Sequence, residues 1–309
     1  MSSTSHAPPR VQIGDVCCHI VSDGKHRVDG GGFFGLVPRV LWRHVIEPDA
    51  ENMIPNAFRC LLVETPDDLI LVDTGLGDKY TPSQRARLLL PSLEQRLLRD
   101  LRAAGFAPEQ VTLVLLTHLH NDHAGGMTRW IGQGMERGTE AVFPNAVHIV
   151  QGQEYHDATN PNERTRATYL SHNWSCLVGT GQLKAVFGSH NFGPAVRSET
   201  AAGHTASLQV VWVESGGQSL LFLGDAISWG VHLERLAWVP SFDVLPMVSI
   251  ETKRKLRAQI LEKDPLLVLQ HDAHLVTGRL HQSNSGREMR LEGEITEEPA
   301  WDRVTQTYV

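Results

Sequence analysis

Residues 117–126 run Thr117-His118-Leu119-His120-Asn121-Asp122-His123-Ala124-Gly125-Gly126, which puts three histidines and one carboxylate into the six positions 118–123. Imidazole nitrogen together with hard carboxylate oxygen is a donor set for zinc and similar divalent ions. A turn at this point can aim His118 and His120 one way, while Asp122 and His123 reach a second position a few ångströms off. Gly125 and Gly126 let the backbone pass close to a neighbour before it turns. Histidine-rich surface loops do occur, but this pattern after an apolar strand and before paired glycines is a much rarer arrangement. Three further ligand-type residues follow: His204 in Gly203-His204-Thr205, Asp225 in Leu223-Gly224-Asp225, and His271 in Gln270-His271-Asp272. Each lies beside an apolar run, and each alone would be an ordinary polar strand end. Together with the first motif they make five histidines and two aspartates, the right number for two metal ions. His274 rivals His271, which is preferred because it directly ends its apolar run.

These residues need strands to present them. Residues 11–22 have mixed strand character, and 56–64 and 69–73 read as paired strands joined by a turn at Thr65-Pro66-Asp67-Asp68. Residues 92–104 read as a helix with Leu93, Leu97, Leu98 and Leu101 on one stripe, stopped by Gly105. The run 111–116 is continuously apolar, as in a strand covered on both faces, and 147–150 repeats it. A helix is expected over 162–178 and another over 250–262, with strands at 183–187, 208–213, 219–223 and 266–269. This order fits sheets with helices on their outer faces, a four-layer αββα sandwich.

The set HxHxDH, then His, then Asp, then His resembles the dinuclear hydrolases of the metallo-β-lactamase superfamily, and Leu71-Val72-Asp73-Thr74-Gly75 is similar to that superfamily's first motif. The resemblance covers residues from about 11 to 280. It implies the metallo-β-lactamase fold, two mixed sheets flanked by helices, and two divalent ions per chain, zinc foremost. It implies His118, His120 and His204 on the first metal, Asp122, His123 and His271 on the second, and Asp225 bridging them along with a hydroxide. Asp122 would also help in proton transfer. Asp73 would orient a ligand or its loop, or simply form the turn after its strand. Asp225 is not a cysteine, unlike the zinc β-lactamases that use a thiolate. His120 is not a glutamate, unlike the redox di-iron branch. Both departures favour Lewis-acid hydrolysis.

Residues 30–55 read as a long irregular insertion carrying Phe33, Phe34, Leu36, Val37, Leu41 and Trp42. The stretch from Gly32 to Trp42 resembles the branch that holds the quorum-quenching N-acyl-homoserine lactonases and methyl parathion hydrolase. A second apolar segment includes Trp229, Leu233, Trp238 and Phe242. Phe33, Phe34, Trp42, Trp229 and Trp238 can wall a substrate pocket above the metals, or they are core or the surface of a homodimer. His232 either reaches a substrate oxygen or is an ordinary loop histidine. The resemblance points to a lactone with an acyl chain as substrate. The alternatives are a phosphotriester or aryl ester and a glyoxalase-type thioester.

Length and charge set the outer bounds. The chain has 309 residues, 41% of them hydrophobic, and a net charge of −7. The acidic balance speaks against nucleic acid and against anionic lipid as partners, and leaves a small molecule. No apolar run spans a membrane, and the polar start lacks a secretory stretch, so the cytoplasm is the expected location. Residues 1–10 are expected to be a disordered arm, 11–280 the hydrolase domain, and 281–309 an extension packed on or near it. Cys17, Cys18, Cys60 and Cys176 form no CxxC pair and read as small buried residues of a reducing compartment, with Cys17 and Cys18 on opposite faces of a strand.

Overall fold

The computed structural model describes residues 7–87, 90, 96–132, 137–283 and 288–297. Two seven-stranded sheets dominate it. The first is ordered β1-β2-β3-β4-β5-β8-β9, built from β1 (Arg10–Ile13), β2 (Val16–Asp29), β3 (Met53–Glu64), β4 (Leu69–Val72), β5 (Leu113–Leu115), β8 (Val147–Gln151) and β9 (Leu183–Val186). The second runs β10 (His190–Phe192), β11 (Val196–Thr200), β12 (Gln209–Ser215), β13 (Gln218–Phe222), β14 (Leu266–Val268), β15 (Leu275–Gln282) and β16 (Met289–Thr296). A separate hairpin joins β6 (Thr128–Ile131) to β7 (Gly138–Ala141). Both sheets are mixed. Hairpin neighbours pair antiparallel, while β4–β5, β5–β8, β8–β9 and β13–β14 pair parallel.

The α-helices are α1 (Gly30–Phe34), α2 (Arg39–Trp42), α3 (Pro82–Arg87), α4 (Arg96–Ala103), α5 (Asn121–Ala124), α6 (Gly152–Thr159), α7 (Ser175–Gly179), α8 (Gly230–Glu234) and α9 (Pro246–Lys263). Three apolar layers make the sandwich. Between the sheets, Cys18, Ile20, Leu61, Val63, Val72 and Leu115 meet Val211, Val213, Leu220, Phe222, Leu266 and Val268. Outside the first sheet, Val114 and Leu116 pack with Leu97, Leu98 and Leu101 of α4. Outside the second, Trp212, Leu221 and Leu267 pack with Leu256 and Ile260 of α9. Val114 and Leu115 thus face opposite apolar layers, which is why this segment is apolar without alternation. The result is the four-layer αββα sandwich.

Several expectations change. Residues 162–178 do not form one helix. Pro161 precedes an Asn162 side chain that accepts from the amides of Arg164 and Thr165, a turn that competes with helix, and helical structure resumes only as a single turn and α7. The insertion at 30–55 is less irregular than expected: β2 extends to Asp29, β3 begins at Met53, and α1 and α2 lie between. The strands β10, β11, β15 and β16 escaped sequence reading: β10 and β16 are largely exposed, and polar residues interrupt the apolar positions of β11 and β15. The boundary at 280 falls inside β15, and β16 pairs with it as the sheet's last strand. Arg10, assigned to the arm, opens β1, while residues 1–6 and Leu93 of the leucine stripe lie outside the described residues. Among the described residues no helix is long and apolar enough to cross a membrane. All four cysteines are free.

Candidate metal centre

The parallel pairs β4–β5 and β13–β14 send the ends of their strands to one edge of the sandwich. Asp73 follows β4, residues 117–123 follow β5, Asp225 sits in a single 3₁₀ turn after β13, and His271 follows β14. His204 comes from the loop between β11 and β12. Asp73 adopts φ +59°, which turns the chain sharply and aims its carboxylate back at the β5 loop. The two glycines act by close approach: a Cβ on Gly125 would stand 2.0 Å from the Leu76 carbonyl oxygen, and one on Gly126 2.1 Å from that of Thr74.

The seven residues singled out in the sequence converge. His118, His120 and His204 form one group whose ligand atoms lie within 4.8 Å of one another, and Asp122, His123 and His271 form another. His118, His123 and Asp225 make a third group that links them. Asp225 stands between the two: Oδ2 is 3.1 Å from His204 Nε2 and Oδ1 is 3.0 Å from His271 Nε2. His274 belongs to no such group among the described residues.

The far side of each ring explains its aim. His271 Nδ1 donates to the Ala57 carbonyl at 2.7 Å, which can only accept, so its Nε2 lone pair faces inward. His123 Nδ1 donates to Asp73 Oδ2 at 2.9 Å, and His204 Nδ1 donates to Asp243 Oδ1 at 3.0 Å. Thr117 gives its amide and hydroxyl protons to Asp73, at 2.7 and 2.8 Å. The Thr117 hydroxyl oxygen is then left to accept from His118 Nδ1 at 3.1 Å. His118 Nε2 is buried with no hydrogen-bond partner among the described residues. His120 Nδ1 and His204 Nε2 face each other at 3.0 Å. Inward lone pairs fixed by acceptors on the opposite nitrogen are what a divalent cation needs. The donor set fits such an ion.

Burial shapes the charges. It pushes His118 well below the usual imidazole range and His120 down to about 3, and the neighbouring imidazoles add to both shifts. Burial also opposes charge on His123, yet Asp122, Asp225 and Asp73 together hold it well above its usual range. Burial works against the Asp225 carboxylate as well, and His271, His204 and His123 outweigh it and draw it well below the carboxylate range. The carboxylates therefore favour positive charge at this spot, which a divalent cation on the inward lone pairs would supply.

The cluster forms the floor of a cavity of about 580 Å³. Asp122, His120, His204, Asp225 and His271 reach it, and Phe33, Met53, Tyr80, Phe242 and Val244 are among its walls. Of the six residues expected to meet substrate, Phe33 lines this cavity. Phe34, Trp42, Trp229, His232 and Trp238 do not line it: the first four are buried, and Trp238 is half-buried against them. Trp42 is 2% exposed and stacks on Phe34 with centroids 4.8 Å apart and planes 7° apart. Phe34, Trp42, Trp229 and Val231 share one apolar cluster against which Trp238 packs, and His232 is buried with Nδ1 accepting from the Trp229 amide at 3.3 Å. The insertion folds inward through these rings, so they are spent on holding α1 and α2 in place.

Sequence reasoning missed Thr117, Asp243 and Glu154. Thr117 was visible inside the motif. Asp243 has no sequence signal, because it reaches His204 from 39 positions away. Glu154, fully buried on α6, accepts from the Leu119 amide at 3.1 Å, Tyr169 at 2.9 Å and Thr205 at 2.6 Å, and so pins the loops of His118–His120 and His204 together.

Comparison with known proteins agrees with this architecture. The family model described as metallo-beta-lactamase superfamily matches residues 59–135. An N-acyl homoserine lactonase of Bacillus cereus is 25% identical over 231 residues, covering 72% of this chain and 83% of that protein. The lactonase AttM of Rhizobium radiobacter is 28% identical over 206 residues, 64% of this chain and 69% of that one. Among solved structures, one described as a probable metal-dependent hydrolase from Staphylococcus aureus superposes with a TM-score of 0.81 at 26% identity, covering 93% of this chain and 98% of that one. AidC, described as a dizinc quorum-quenching lactonase in complex with a product, has a TM-score of 0.76 at 20% identity, covering 94% and 99%. With its sheets, its ligand-bearing strand ends and these relatives taken together, the chain is a hydrolase of the metallo-β-lactamase superfamily, related to the N-acyl homoserine lactonases.

Proposed function

We propose that this chain is a dinuclear metal-dependent hydrolase that opens the ring of an acylated homoserine lactone. The observation that carries the dinuclear reading is Asp225, with one oxygen toward His204 and the other toward His271. His118, His120 and His204 would hold one ion, Asp122, His123 and His271 the other, and Asp225 would bridge. Two divalent ions, zinc being a good match for imidazole and carboxylate, would supply an activated water at neutral pH and polarise the scissile carbonyl.

The remaining work falls to the chain's own groups. Asp73, Asp243 and the Ala57 carbonyl keep the imidazoles oriented. Asp122 reaches the cavity and is placed to hold the proton that the leaving alkoxide takes up. Tyr80 accepts from Asn121 Nδ2 at 2.6 Å, which leaves its own hydroxyl proton for a substrate oxygen. Phe33, Phe242, Met53 and Val244 give an apolar wall for an acyl chain. The activity of the lactonase relatives supports this substrate class.

The test is a hydrolysis panel on metal-replete protein: homoserine lactones of several chain lengths, a phosphotriester, an aryl ester and a thioester. The lactones should show the highest kcat/KM. A phosphotriester or thioester turned over faster would replace the lactone reading and leave the metal centre standing.

A further inference from the structure

We propose that Cys17, His19 and Glu64 form a separate site for one soft divalent cation such as zinc, at the other end of the first sheet. Glu64 pairs with Leu69 at the start of β4, whereas Asp73 follows the end of that strand. Strand geometry puts the three residues on one face. Cys17 and His19 are two apart on β2, and Cys17 lies directly opposite Glu64 of β3. Their ligand atoms fall within 4.8 Å of one another.

The spacing suits tetrahedral zinc. Bonds of about 2.3 Å to sulfur and about 2.0–2.1 Å to nitrogen or oxygen set ligand–ligand edges at about 3.4–3.6 Å. Cys17 Sγ stands 3.4 Å from His19 Nε2, and His19 Nε2 stands 3.8 Å from Glu64 Oε2. His19 is held edge-on by Phe106, with centroids 5.6 Å apart, and Glu64 remains open to water. That leaves a fourth position for solvent.

The spot already attracts positive charge. Arg10 Nε donates to Cys17 Sγ at 2.8 Å, and a guanidinium can only donate, so the sulfur is the acceptor. A thiolate and a carboxylate balance a divalent ion, and the exposed Arg10 is free to swing into water when one binds. Cys18, by contrast, points into the layer between the sheets and is fully buried. The two adjacent cysteines therefore have different roles, Cys18 in the layer between the sheets and Cys17, also buried, in a tripod on the sheet's other face that opens to water at Glu64.

The experiment adds Co(II) to the full-length protein whose dinuclear centre is already loaded with zinc. A near-ultraviolet sulfur-to-cobalt charge-transfer band should appear and saturate at one Co(II) per chain. The His/Asp cluster contains no thiolate, so exchange there cannot produce that band. Cys17→Ser should abolish it and leave hydrolysis unchanged. His19→Ala and Glu64→Gln should each weaken Co(II) binding by about tenfold or more. Arg10→Ala should tighten it, because a competing cation is removed. No band in the wild-type protein, or a band that survives Cys17→Ser, overturns the site. A band insensitive to both His19→Ala and Glu64→Gln overturns the tripod.

Discussion

The floor and the wall of the cavity behave differently. On the floor, every residue singled out for metal chemistry arrives at the cluster. In the wall, of six residues singled out for substrate, Phe33 alone faces the cavity, and the rest pack behind it. Ligation demands particular atoms, so residue type and spacing carry its signature. An aromatic ring serves a core and a pocket equally well, and only the fold decides between them.

The largest effect should come from the floor. His118→Ala removes a buried ligand nitrogen, and kcat/KM should fall by about a thousandfold or more with loss of metal. A variant that keeps its metal and its rate would break the floor's side of the comparison.

The wall should respond in stability instead. Trp42→Ala empties a stacked, buried site and should cost about 3–5 kcal/mol in urea unfolding. Phe33, 4% exposed in the same cluster, should also lose stability on Phe33→Ala, and because it lines the cavity this change should in addition raise KM for a long-chain lactone by about tenfold, with kcat less affected. If Trp42→Ala were stable and defective only toward long chains, Trp42 would belong to the pocket after all.

His232 sharpens the same point through pH. Burial, with Lys253 adding, lowers it to about 3 from its usual 6.5. The unfolded chain therefore binds a proton between those values and the folded protein does not, so stability is present above about pH 6.5 and is lost as pH falls toward 3. At pH 5 the loss should be about 2 kcal/mol relative to pH 8. His232→Gln should shrink that pH dependence. An unchanged dependence would mean the ring titrates in contact with solvent.

Intermediate between floor and wall are the residues that steer ligands. Asp243→Asn keeps the shape but removes the charge that fixes His204, and should lower activity or metal affinity by about 10–100-fold.

Legibility follows the same division. The strand at β5 was visible because burial on both faces leaves a continuous apolar run. The helix at α9 was visible from its length and helix-forming residues rather than from an apolar stripe, since Ser249 and Lys253 share its buried face with Leu256 and Ile260. The inner strand β11 and the edge strand β16 were not, since Val196–Thr200 and Met289–Thr296 are short or largely polar. The helix expected over 162–178 failed on local turn chemistry at Asn162. Asp243 and Glu154 are single polar residues whose importance exists only after long-range folding brings them to His204 and Leu119.

The central claim is that the two triads and Asp225 hold two ions, and elemental analysis of the purified protein measures it most directly. Close to two divalent ions per chain are expected, zinc foremost, with activity lost on chelation and restored by adding metal. In the Cys17→Ser background, which excludes the Cys17–His19–Glu64 tripod, the count should still be two. A stable protein with one ion per chain and full activity would contradict it.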